Sequence, residues 1–184
     1  MSSEDLVEYL QARLNEEEQW ALAASAPYPY ADDRPPVPAG GVHWEWVGGE
    51  NWEPARVDPV TDEFVTTVDG DWNVNLGSVE TWRSGTWDMR ATVANSMEEV
   101  KVGPAGHIAY WDPARVLADI EAQRRLLDLH VNDGSANLPS CAVCDVGRHS
   151  CGCVGWDEWP CETLKILVQP YSSRPDFNED WRTP

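Results

Sequence analysis

The side chains best suited to chemistry crowd into one stretch of this sequence. Cys141-Ala142-Val143-Cys144 is followed by His149, Cys151 and Cys153 and then by Cys161 behind Trp159-Pro160, while His130 lies a short way upstream. Thiolates and imidazole nitrogens are the donors that zinc takes in tetrahedral sites. A Cys-x-x-Cys turn offers two thiolates to one ion, and a later cysteine with one histidine closes the shell. The expected ligand set is therefore Cys141, Cys144, Cys161 and His130, with Cys151, Cys153 and His149 as substitutes if the intervening loop folds back. The same residues admit other readings. Five cysteines are enough for an iron–sulfur cluster. A Cys-x-x-Cys pair can also serve thioredoxin-like redox chemistry, although such pairs open a helix after a strand, a context missing here. Free thiols are the remaining alternative. The odd number and tight clustering favour a metal over disulfides in a reducing compartment, and the expectation is a structural zinc.

A second constellation is His107, Asp112 and Arg115, which could form a polar site at the entrance to a helix. Asp112 is also explained as a helix cap, with no catalytic role. No Ser-His-Asp arrangement, Gly-rich phosphate loop or His-Glu-x-x-His motif accompanies it. Enzymatic function thus rests on one alternative, a metal-dependent hydrolase using the Cys/His cluster with an open coordination position, or else the trio at 107, 112 and 115.

These residues need elements to hold them. Leu6, Leu10 and Leu14 recur at helical spacing with Val7 beside them, which predicts a helix over 3–24 that is interrupted by Glu16-Glu17-Glu18 before Trp20 and Ala21 resume the apolar stripe. Residues 26–41 are a Pro-rich connector. From 42 to about 105 the pattern is β-prone, with Val42, Trp44 and Trp46 alternating with other residues. Runs 64–68 and 71–76 follow, and turns are expected at 58–62 and 69–71. Trp52, Trp72, Trp82 and Trp87 are expected to fill one face of the sheet rather than to stack on a ligand. Asp112-Pro113 starts a second helix to about Val131, with Val116, Leu117, Ile120, Leu127 and Leu129 as its buried stripe and Glu121-Arg125 as a surface pair. Residues 134–184 form a Cys-rich lobe and tail. Within it, 161–170 suits a short helix stopped by Pro170, and Phe177 and Trp181 pin the tail to the body. The fold class expected is α+β, one domain over 1–184, in which both long helices pack on a small Trp-rich antiparallel sheet beside a zinc-clamped lobe.

Composition narrows the function classes. Of 184 residues, 32 are Asp or Glu and 13 Lys or Arg, for a net charge of −19. No segment is basic, so direct binding to nucleic acid is not expected. The acidic surface either keeps the protein soluble or docks on a basic partner. The opening residues are acidic where a secretory leader would be basic and then apolar, and no apolar run is long enough to span a bilayer. A cytoplasmic location with no membrane association is therefore expected.

Several short runs carry a resemblance. His107-Ile108-Ala109 leads to Asp112-Pro113-Ala114-Arg115-Val116-Leu117, and Pro160-Cys161-x-Thr163-Leu164 is followed by Pro170-Tyr171 and Pro175-Asp176. Together with the opening helix over Leu6 to Gln19, they resemble an uncharacterised family of small proteins encoded by actinobacteria and their phages. The resemblance implies Cys141, Cys144 and Cys161 as shared ligands and makes Cys151 and Cys153 additions peculiar to this chain. Many members carry a second histidine before Asp-Pro. Tyr110-Trp111 stands there instead, which removes a partner for His107. The family supplies no activity. The resulting expectation is a small acidic interaction protein of phage or prophage type that binds a host protein, with a structural zinc and no catalysis.

Overall fold

The structure is a computed structural model. It describes residues 4–25, 41–49, 52–58, 60, 63–67, 69–70, 73–84, 86–95, 100–132, 140–144 and 159–183. The Pro-rich connector, Trp72, His149, Cys151 and Cys153 lie outside the described residues, as do the side chains of Trp82 and Trp87. The fold is α+β, and the chain divides into two compact units, Met1–Glu17 with Asp119–Pro184, and Glu18–Ala118.

The second unit holds the sheet. Strands β1 (Trp44–Gly48), β2 (Glu53–Pro54), β3 (Val74–Ser84) and β4 (Trp87–Asn95) are all antiparallel and ordered β2-β1-β3-β4. Near the expected turn at 69–71, Gly70, at φ +85°, donates its N–H to the Thr67 carbonyl at 3.0 Å, and near the one at 58–62 Asp58 Oδ1 accepts the Val60 N–H at 2.8 Å; Asp71, Pro59, Thr61 and Asp62 lie outside the described residues. Trp46, Val65, Val74 and Leu76 form the core of this unit with Val102 and Ala105. The last two belong to helix α2 (Val102–Tyr110), which falls at the edge of the stretch read from the sequence as β-rich. Its Gly103-Pro104 resembles a turn, yet proline in a first helical turn gives up no intrahelical bond. The Trp46 indole N–H donates to the Ala105 carbonyl at 2.9 Å, satisfying a buried donor and fixing β1 against α2.

Helix α2, which the sequence reading did not single out, supplies Val102 and Ala105 to the sheet core. Helix α1 (Glu4–Ser25) and helix α3 (Pro113–Leu129) each run from one unit into the other, and Leu6, Leu10, Leu14, Ile120 and Leu127 are buried residues of the first unit. Two members of the predicted stripes are corrected. Trp20 is 72% exposed although Ala21 beside it is buried, and Leu129, in the last residue of α3, is 56% exposed.

The tail is held as expected, through a residue that went unnoticed in the sequence. Tyr9 of α1 meets Trp181 at 5.1 Å between ring centroids, Tyr171 at 6.3 Å and Phe177 at 6.4 Å, and Phe177 and Trp181 are edge to face. Ion pairs surround these rings: Glu16 with Arg13 at 2.8 Å and with Arg174 at 3.1 Å. Helix α4 (Glu162–Val168) tightens into a 3-10 turn at Gln169–Tyr171, so Pro170 ends the α-helix as the sequence suggests. Replacing Leu10 by Ala is expected to cost about 2–5 kcal/mol, while Leu129→Ala stays within about 0.5 kcal/mol. Urea denaturation of both variants checks this, and equal losses would contradict the assigned burial.

Candidate metal centre

Each ligand residue of the expected set is positioned by a different local device. His130 directly follows the last residue of α3, and its N–H still bonds the Leu126 carbonyl at 3.0 Å. A bridge between Asn132 and Cys141, reinforced by the Ala142 N–H on the Val131 carbonyl at 3.0 Å, brings the Cys-x-x-Cys turn back beside that helix end. Cys161 occupies the position just before α4, its carbonyl accepting the Lys165 N–H at 3.1 Å. All four belong to the same compact unit.

The geometry is tight. His130 Nδ1 lies 3.3 Å from Cys141 Sγ, 3.4 Å from Cys144 Sγ and 3.4 Å from Cys161 Sγ, and all four atoms fall within 4.8 Å of one another. A tetrahedral zinc with bonds of about 2.3 Å to sulfur and about 2.0 Å to nitrogen separates those donors by roughly 3.5 Å, so the donor set fits such an ion. One imidazole N–H cannot point at three sulfurs together. A cation between them satisfies all four at once. The three cysteines are free of disulfides.

The electrostatics point the same way. Burial pushes the Cys144 thiol up to about 12, helped by the sulfurs of Cys141 and Cys161. Burial also raises Cys161, with the Cys141 sulfur adding to it against the Leu164 amide. At Cys141 burial is outweighed by the amides of Cys144 and Val143 and by the neighbouring thiols, and the net shift is downward. One thiolate is thus favoured and the others are held protonated, which is how crowded anions behave without a counter-charge; a divalent cation reverses that preference. The Thr163 hydroxyl stands 4.0 Å from Cys144 Sγ; the sequence marks Thr163 only as part of the Pro160–Leu164 run. The substitutes Cys151, Cys153 and His149 lie outside the described residues.

The sequence matches a family of unknown function, DUF6221, over residues 3–183. The chain belongs to that family. Neither a curated protein nor a solved structure matches it. The DUF6221 match spans all four convergent ligands and both compact units.

The residues of the other constellation have the following surroundings. Asp112 Oδ1 accepts the Arg115 N–H at 2.9 Å, capping α3 as its Asp-Pro start suggests. The Arg115 guanidinium lies over Tyr110 at 4.3 Å and over Trp111 at 5.2 Å from the ring centroids. His107 is exposed, 6.2 Å from the Trp111 ring. A titratable pair absent from the sequence reading lies in this unit. Glu80 accepts from His43 at Nδ1 (2.6 Å) and at the backbone N–H (3.3 Å). That bond, with Asp112 adding to it, raises the His43 pKa; burial pushes Glu80 upward, but its bonds to His43 bring it below the usual value.

Two outcomes follow from these arrangements. Stripping the metal with a chelator, or making Cys161→Ser, is expected to lower the unfolding midpoint of the first unit by several degrees, because metal binding and folding are linked. Near-identical melting curves for metal-loaded and stripped protein would exclude the centre. The His43–Glu80 pair is complete between the ordinary carboxylate and imidazole values; it weakens as pH rises through His43's raised pKa and as pH falls through Glu80's lowered one. The stability advantage of the parent over Glu80→Gln should therefore be larger at about pH 5.5 than at about pH 9, measured by thermal melts. The reverse order would contradict the pairing.

Proposed function

We propose that this chain is a small acidic binding protein, of phage or prophage type, that docks on a basic protein of its host cell and whose metal centre is a structural zinc. The observation carrying this reading is the closed donor shell. Three sulfurs and one nitrogen from the protein converge on one point, whereas a catalytic zinc keeps a position for water or substrate. The spacing suits a single ion and leaves no room for a multi-iron core among these atoms, which favours zinc over an iron–sulfur cluster. Asp112 is accounted for as the cap of α3 and Arg115 lies over Tyr110, which supports the binding reading.

The partner's chemistry follows from charge. A net charge of −19 repels phosphate backbones and attracts basic protein surfaces. Among the described residues no helix is long and apolar enough to cross a membrane, and reduced thiols at the metal centre suit a cytoplasmic location. The test is affinity capture from actinobacterial lysate with the zinc-loaded chain at about 50 mM and about 500 mM salt, which shortens the Debye length severalfold. Retention of a specific protein of basic isoelectric point at low salt, lost at high salt, is expected. Salt-indifferent retention would contradict the acidic docking face, and metal-dependent hydrolytic turnover would replace the binding reading by an enzymatic one.

A further inference from the structure

The four ligand residues are unequally shielded. Cys141 is 0% exposed, Cys161 1% and His130 8%, whereas Cys144 is half-buried in a turn whose neighbours Ala142 and Val143 are exposed. Among the four ligand residues Cys144 thus has the most open approach. Its Sγ is also within 4.8 Å of Cys141 Sγ.

We infer that Cys144 is an oxidative modification site for hydroperoxides, through which the metal shell opens. This rests on the structural-zinc reading. The Cys144 thiolate attacks one oxygen of hydrogen peroxide, the O–O bond breaks, and Cys144 sulfenic acid and one hydroxide form. The Cys141 thiolate then attacks the Cys144 sulfur and expels a second hydroxide, closing a Cys141–Cys144 disulfide. Two thiolates have lost two electrons and one peroxide has gained them. The disulfide removes two of the four donors, so that Cys161 and His130 alone would be left to hold an ion.

The experiment uses the full chain carrying Cys151→Ser and Cys153→Ser, so that only the three cysteines of the centre remain. Metal content is measured before any oxidant. Hydrogen peroxide is then added with a chromophoric zinc indicator present, and the products are mapped by peptide mass spectrometry. Expected are one zinc released per chain, a Cys141–Cys144 disulfide, and release slowed about tenfold or more in Cys144→His, which keeps a Cys2His2 donor set. Protein that contains no zinc at the outset overturns the zinc reading and this inference together. Zinc present but retained under peroxide, or first oxidation at Cys161, overturns this inference alone.

Discussion

Three cysteine sulfurs and one imidazole nitrogen meet at a spacing that only a shared cation makes favourable. Without a counter-charge, burial first and the neighbouring sulfurs second favour the protonated thiols of Cys144 and Cys161. A divalent ion bound there would turn that repulsion into attraction and would join the end of α3, the Cys-x-x-Cys turn and the start of α4. Closing such loops costs entropy that local contacts in a small unit offset poorly, and a metal bond offsets it directly.

The two units find stability differently. In the sheet unit the core is continuous from β1 and β3 to α2, and the Trp46–Ala105 hydrogen bond removes the penalty of burying an indole N–H. The other unit relies on leucines of α1, an aromatic group centred on Tyr9, and a convergent Cys/His cluster. Small cores commonly need such a staple. Thr163 lies 4.0 Å from the Cys144 sulfur, and Cys161 stands at the head of α4.

Much of this was legible where a residue's chemistry is local. Asp112-Pro113 announces a helix start through capping and a fixed φ, and Asp112 does cap α3. The convergence of His130, Cys141, Cys144 and Cys161 was readable because Cys-x-x-Cys spacing has few uses and His130 falls at a predicted helix end. What escaped depends on tertiary context. Helix α2 hides behind Gly103-Pro104, whose local preference for a turn is overridden once Val102 and Ala105 bury against Trp46. Periodicity placed Trp20 and Leu129 in apolar stripes, but a stripe says nothing about whether the core extends that far along the helix. Tyr9 and the His43–Glu80 pair each have their partners far away in sequence, and no spacing rule reports them.

The central claim is that one ion sits among His130, Cys141, Cys144 and Cys161, and X-ray absorption at the zinc edge tests it most directly. The account predicts a four-coordinate spectrum with three sulfurs at about 2.3 Å and one nitrogen at about 2.0 Å. A shell containing oxygen, or a metal–metal scattering path at an iron edge, would contradict it.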